Sequence, residues 1–92
     1  MKELEQKAVI VYKTEPPYTE EARKKGVTGV VRLRVVLSST GQVINPEVLK
    51  SLPNGLTESA LRVARHIRFF PAQKDGRPVS QYATLEYNFN IY

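Results

Sequence analysis

Hydrophobic and polar residues alternate most regularly in residues 79–92, which read VSQYATLEYNFNIY. Apolar side chains recur at every second position from Ala83 to Ile91, and polar side chains fill most positions between them. A period of two is typical of a β-strand with one buried face. At ~3.3 Å per residue these 14 residues would span about 46 Å, whereas a compact chain of this length is roughly 32 Å across. We therefore expect the strand to bend or to run past its partners, leaving unpaired backbone groups at an exposed edge.

A second alternating segment, residues 29–37 (GVVRLRVVL), predicts another strand. Its inward face would carry Val31, Leu33, Val35 and Leu37. A turn at residues 38–41 (SSTG) leads to a return strand at residues 43–51, and the proline within it, Pro46, indicates an edge position or a bulge. The short apolar run at residues 8–12 (AVIVY) allows for one further strand near the start of the chain.

Two helices are predicted between and after these strands. The first is short: Thr19 is a candidate N-cap, and Gly26 supplies the left-handed residue that ends the helix. The second is expected from about Thr57 to Phe69, where Pro71 prevents its continuation. Its apolar residues recur at helical spacing and predict one buried stripe, formed by Leu56, Ala60, Leu61, Ala64 and Ile67.

The predicted order of elements is (β)-α-β-β-α-β, with the first strand optional. This order favours an α+β fold: a two-layer sandwich in which an antiparallel three-stranded sheet carries two helices on one face. We expect residues 1–15 to be a flexible lead-in with a short strand, and residues 16–92 to form the domain.

Composition excludes several kinds of site. The 92 residues include no cysteine, so neither a disulfide nor a thiolate metal site can form. His66 is the only histidine and Asp75 the only aspartate, and the serines have no recognisable base partner in the sequence. We therefore expect no enzyme, no metal site and no cofactor. The formal net charge of +5 favours an acidic partner.

Several short motifs, taken in order, resemble the C-terminal domain of TonB-type energy transducers. Pro17-Tyr18, Ala22-Arg23 and Gly26 are similar to the opening P-x-Y-P…A-x-x-x-G of that family, and residues 29–35 are similar to its G-x-V-x-V-x-F-x-V strand. Further matches are Gly41-x-Val43, Leu56-Thr57-x-x-Ala60-Leu61, Arg68-Phe69-x-Pro71-Ala72, Gly76 and Pro78-Val79. Each motif is weak alone, but their shared order and spacing are specific.

The resemblance implies a periplasmic domain of a protein anchored in the inner membrane. Such domains bind a short peptide, the TonB box, of TonB-dependent outer-membrane transporters, and the full protein couples to a motor of the ExbB/ExbD type. In this family the peptide adds as a strand to the edge of the last strand. The anchor and a proline-rich spacer would lie outside this chain.

The same resemblance implies two candidate binding segments. The first is the edge of the last strand, with Val79, Ser80, Gln81, Tyr82, Ala83, Thr84, Leu85, Glu86, Tyr87 and Asn88. The second is the segment before the first helix, with Glu15, Pro16, Pro17 and Tyr18. Each has a structural alternative: a core strand paired on both sides, and an extended lead-in whose Tyr18 packs against the helix.

Other surfaces leave further alternatives open. Arg32, Arg34 and Glu86 would share the outer sheet face as cross-strand charge pairs, or, with Tyr82 and Tyr92, as a platform for single-stranded RNA. The RNA platform is disfavoured because residues 29–37 lack its aromatic pattern, so no nucleic-acid partner is expected. A basic helix face would carry Arg62, Arg65, His66 and Arg68. A TolA-like envelope linker and a strand-exchanged homodimer are the remaining alternatives.

Overall fold

The computed structural model describes residues 5–91. Within these residues the strands are β1 (Val9–Tyr12), β2 (Gly29–Leu37), β3 (Val43–Lys50), β4 (Arg68–Phe70), β5 (Ala72–Lys74), β6 (Arg77–Val79) and β7 (Gln81–Phe89), and the helices are α1 (Glu20–Lys25) and α2 (Leu56–Ala64). The predicted α+β sandwich is confirmed. The three-stranded sheet is antiparallel with the order β3-β2-β7.

Alternation in the sequence correctly predicted the inward side chains of β2 and β7. Ile91, which the same alternation placed in the core, follows the end of β7 and is exposed. The inward residues of β2 and β7 form the core together with Ala22 of α1 and the apolar stripe of α2. The outward residues Arg32, Arg34 and Glu86 are exposed. Both helices therefore cover the same face of the sheet, and the other face contacts solvent. As Pro46 indicated, β3 lies at an edge, and its register with β2 shifts at two bulges.

The first helix begins and ends where its caps were predicted. The Oγ1 atom of Thr19 accepts a hydrogen bond from the amide of Ala22 (3.1 Å) and donates one to the carbonyl of Asn54 (2.6 Å). Gly26 has φ 66°, a left-handed conformation that an L-residue adopts only at a cost. Since α1 has only six residues, these caps and the buried Ala22 hold it in place.

The second helix is shorter than predicted. It ends at Ala64, and residues 68–70 form β4 in place of its expected last turn. The amide of Ile67 bonds to the carbonyl of Ala64, a tighter turn that ends the helix while keeping Ile67 in the core. Phe69 is buried and Phe70 exposed; this alternation suits a strand, and β1 supplies its backbone partner.

The last strand is also shorter than predicted. Residues 79–92 are not one strand, because β7 covers nine residues and Ser80 separates it from Val79, which belongs to β6. Asp75 and Gly76 both have positive φ (53° and 72°), the conformation of a tight two-residue hairpin turn that joins β5 to β6. The last strand therefore does not have the excess length that its alternation indicated, and Tyr92 lies outside the described residues.

The optional first strand exists but does not extend the main sheet. β1 pairs with β4 in a separate two-stranded ribbon, and ahead of it the backbones of Gln6 and Gln73 form a bridge.

The described part of the chain measures 51 × 22 × 20 Å, longer than the roughly 32 Å expected of a compact chain. Within residues 5–91 no helix has the length and apolar character needed to cross a membrane.

Candidate functional site

The candidate site is the outer edge of β7. This strand pairs with β2 along its whole length, from Gly29 opposite Phe89 to Leu37 opposite Gln81. Among residues 5–91 no strand pairs with its other side. The expected edge therefore exists. It is open because β7 is the last strand of the sheet order β3-β2-β7, and not because the strand runs past its partners.

The contacts of Glu86 indicate which backbone groups point outward. Its carbonyl accepts a hydrogen bond from Nζ of Lys13 (3.1 Å), a residue outside the three-stranded sheet. We infer that this carbonyl points away from β2. Residues of an antiparallel strand alternate between those that bond to the partner strand and those that point away from it. The N–H and C=O groups that face outward therefore belong to Tyr82, Thr84, Glu86 and Asn88.

Two of the predicted edge residues do not lie on this edge. Val79 pairs with Ala72 in the β5–β6 hairpin. The Oγ atom of Ser80 accepts a hydrogen bond from the amide of Ser39 (3.1 Å), next to the turn between β2 and β3. Leu85, Tyr87 and Ala83 belong to β7 but direct their side chains toward the core, as the alternation predicted.

The segment before α1 is extended and firmly attached. The carbonyl of Pro17 accepts a hydrogen bond from Oγ of Ser59 (2.6 Å), and the hydroxyl of Tyr18 donates one to the carbonyl of Val27 (2.6 Å). The Tyr18 ring meets the Phe89 ring edge to face, with centroids 5.5 Å apart. The side chain of Tyr18 therefore fastens the segment to β7 and to Val27, just after α1, whereas the structural alternative expected it to pack against the helix.

The structure brings the two predicted segments together in one cleft. Glu15, Pro16 and Tyr18 line one side of a cavity of about 360 Å³, and the end of β7 lines the other with Asn88, Phe89 and Asn90. A chain added along β7 would therefore meet the segment before α1 at the Phe89 end. Val79 and Ser80 lie at the opposite end of the strand.

Tyr87 is an unusual buried group beside this cleft. Its side chain is buried, and its hydroxyl has no hydrogen-bond partner among the described residues. Burial and, to a smaller extent, the negative charge of Glu15 raise the pKa of Tyr87 to about 12. The hydroxyl is therefore a neutral donor at all ordinary pH values.

The outer face of the sheet carries the predicted charge pairs. Arg32 lies 2.6 Å from Glu86 across β2 and β7, and Arg34 lies 2.6 Å from Glu47 across β2 and β3. The guanidinium of Arg34 also lies 5.5 Å from the ring centre of Tyr82, which is more exposed than any other large apolar side chain among residues 5–91. The four charged side chains are about half exposed, so their ion pairs shape the surface more than they stabilise it.

The predicted basic helix face lies only partly on α2, because Arg65 and His66 follow the end of the helix. Arg62, Arg65 and His66 line a cavity of about 490 Å³ with Glu58 and Leu61. Arg68 belongs to β4 and lies outside this lining. Within residues 5–91 no group of three or more histidines, aspartates and glutamates is arranged to hold a metal ion.

Sequence patterns missed Lys13. Its ammonium group contacts the carbonyl of Glu86 and lies 4.6 Å from the ring centre of Tyr87. These residues are 73 positions apart. The apolar run ahead of Lys13 predicted a strand, but alternation within a strand does not show which edge the strand will lie beside.

Comparison with known proteins gives consistent matches. The family model described as Gram-negative bacterial TonB protein C-terminal matches residues 14–91. Protein TonB of Vibrio cholerae is 29% identical over 85 residues, which are 91% of this chain and 35% of that protein. The chain thus spans about a third of the length of this curated relative.

Two solved structures have the same fold. The solution NMR structure of the Pseudomonas aeruginosa TonB CTD matches with a TM-score of 0.73 and 25% identity, over 91% of this chain and 86% of that one. The TonB2 protein of Vibrio anguillarum matches with a TM-score of 0.58 and 27% identity, over 94% of this chain and 85% of that one.

Proposed function

The chain belongs to the family of Gram-negative bacterial TonB protein C-terminal domains, and we propose that it binds the TonB-box peptide of an outer-membrane transporter by adding it as a strand to β7. Members of this family are binding and energy-transducing proteins, not enzymes. TonB homologues are periplasmic domains of proteins anchored in the inner membrane. We assign the same location and role to this domain.

The observation that carries the proposal is the unpaired side of β7. Four residues, Tyr82, Thr84, Glu86 and Asn88, direct backbone groups away from β2. An extended peptide can bond to such groups whatever its side chains are, and it gains specificity from the alternate side chains that reach pockets. The cleft at the Phe89 end is a pocket of this kind.

Strand addition also suits the transmission of force. When a pull acts along a strand-added peptide, it loads several backbone hydrogen bonds together, so the link resists shear even where affinity is modest. We propose that the pull comes from an ExbB/ExbD-type motor and reaches this domain through a segment ahead of it. The motor and the transporter are partners implied by the family.

The same edge supports a strand-exchanged homodimer as a competing state. An exposed edge pairs with a second copy as readily as with a peptide. A homodimer formed this way would lower the apparent affinity for peptide as the protein concentration rises. Sedimentation across a range of concentrations therefore belongs with every binding measurement.

The test is a titration of isotope-labelled protein with a synthetic TonB-box peptide, followed by amide chemical shifts. We expect the largest shifts at Tyr82, Thr84, Glu86 and Asn88, and small ones along β3, the opposite edge of the sheet. A peptide of the same composition in scrambled order is the matched control. If the shifts avoid β7, or if β3 responds equally, strand addition at this edge is wrong.

A further inference from the structure

We propose that residues 8–13, here named the flanking segment, regulate the β7 edge by lying beside it, so that a peptide must displace them to bind. This inference rests on the proposed function, since it concerns access to the same edge. It assigns a role to Lys13 and to the otherwise unexplained strand β1.

Two hydrogen bonds place the flanking segment along β7. The amide of Ala8 donates to Oε1 of Gln81 (2.7 Å), and Nζ of Lys13 donates to the carbonyl of Glu86 (3.1 Å). Both contacts join residues 73 positions apart. The segment therefore advances in the same direction as β7, from the start of the strand to beyond its middle.

Lys13 bonds to a backbone carbonyl, that of Glu86, to which an added strand would otherwise bond. Glu86 is one of four residues whose backbone faces outward, and its carbonyl is already bonded to the Lys13 ammonium. The same ammonium lies 4.6 Å from the ring centre of Tyr87, which gives it a second favourable contact. A lysine beside an edge strand is a common means of preventing unwanted pairing.

The flanking segment is nevertheless easy to displace. It contacts β7 through two side chains and not through a ladder of backbone bonds. All four residues of β1 are exposed, and the pairing of β1 with β4 is interrupted by a bulge between Ile10 and Tyr12. Since the ribbon keeps the segment close, it competes with peptide at a high effective concentration.

The experiment compares the peptide affinity of the unmodified 92-residue chain with that of four variants. Lys13→Met removes the ammonium while keeping most of the side chain, and Ala8→Pro removes the amide donor. The double variant removes both contacts. Lys7→Met is the matched control, because it removes the same charge from an exposed lysine one residue before the segment. Dissociation constants come from the titration with a synthetic TonB-box peptide.

We expect Lys13→Met to bind the peptide about three- to tenfold more tightly, since one competing hydrogen bond is gone. The double variant should bind more tightly still, and Lys7→Met should match the unmodified protein. Saturating the unmodified protein with peptide should also shift the amides of Val9, Val11 and Tyr12, which report release of the segment.

Other outcomes overturn the inference in distinguishable ways. Equal affinities in all five proteins, with shifts still on β7, would leave the proposed function intact and show that the segment does not compete. Weaker binding by Lys13→Met would show that Lys13 contacts the peptide. Shifts that avoid β7 in every protein would overturn the proposed function as well.

Discussion

The ring of Tyr18 packs edge to face against the ring of Phe89, and their centroids are 5.5 Å apart. This contact joins the segment before α1 to the end of β7. The two surfaces, which the sequence predicts separately, therefore form the two walls of one cleft. The hydroxyl of Tyr18 completes the arrangement by bonding to the carbonyl of Val27 (2.6 Å).

Substitutions of Tyr18 separate these two contributions to stability. Tyr18→Phe loses only the hydrogen bond to Val27 and should lower the free energy of unfolding by about 0.5–1.5 kcal/mol. Tyr18→Ala also loses the ring contact with Phe89 and should cost about 2–4 kcal/mol, less than a fully buried aromatic because Tyr18 is half-buried. Urea denaturation measures both. Equal losses in the two variants would show that the ring does not stabilise the domain.

Proline substitutions test the assignment of outward and inward backbone groups along β7. Thr84→Pro removes an amide that faces the open edge, so the domain should stay folded while peptide affinity falls at least about tenfold. Ala83→Pro, one residue earlier, removes an amide that faces Val35 of β2. It should lower the free energy of unfolding by on the order of 2–4 kcal/mol.

Circular dichroism and thermal denaturation distinguish the two proline variants before any binding is measured. If Ala83→Pro stays folded and Thr84→Pro unfolds, the assignment is reversed, and the residues that bind a peptide would be the odd-numbered ones.

The sequence predicted β2 closely because every inward position in it is apolar and a glycine and a turn bound it. Alternation led to an overestimate of the last strand, since Val79 has the same parity as the inward residues of β7 although the polar Gln81 stands between them, and Ser80 separates β6 from β7.

The sequence also overestimated α2, because Ile67 continues the helical stripe and no glycine or proline interrupts the chain between Thr57 and Pro71. Phe69, two residues after Ile67, would lie on the opposite side of a helix and fits the strand β4. Strand pairing decided both boundaries: β6 pairs with β5, and β4 pairs with β1. Local periodicity does not show which strands will pair.

For a similar reason, the sequence predicted only part of the candidate site. Alternation identified the faces of β7, and the motifs implied that its edge binds a peptide. The position of Lys13 beside Glu86 depends on β1 pairing with β4, a contact between distant parts of the chain. No spacing of residues near Lys13 indicates it.

The ion pair between Arg32 and Glu86 should contribute little to stability. Both side chains are about half exposed, so solvent screens their attraction. A double-mutant cycle with Arg32→Met and Glu86→Gln should give a coupling energy of about 0.2–1 kcal/mol, decreasing as salt is added. A much larger value that is insensitive to salt would show that the pair is shielded from solvent.

Peptide affinity should change less than about threefold in Glu86→Gln, because the proposed contact uses the backbone of Glu86.

Tyr87 should make the domain less stable at alkaline pH. Burial, with a smaller effect of Glu15, raises the pKa of Tyr87 from 10.0 to about 12. Between these values the unfolded chain loses the phenolic proton while the folded chain retains it, so the free energy of unfolding falls as pH rises from about 10 to 12. The loss attributable to this group is on the order of 2–3 kcal/mol.

The variant that tests this is Tyr87→Phe, which removes the titrating hydroxyl and keeps the buried ring. At pH 7 it should be at least as stable as the unmodified protein, because the hydroxyl has no partner among the described residues and its burial is unfavourable. Above pH 10 its stability should fall less steeply, although the exposed tyrosines and lysines still titrate. Urea denaturation at pH 7, 10 and 11 gives the comparison. If Tyr87→Phe is less stable at pH 7, the hydroxyl forms a stabilising hydrogen bond, and parallel pH profiles would show that its pKa is not raised on folding.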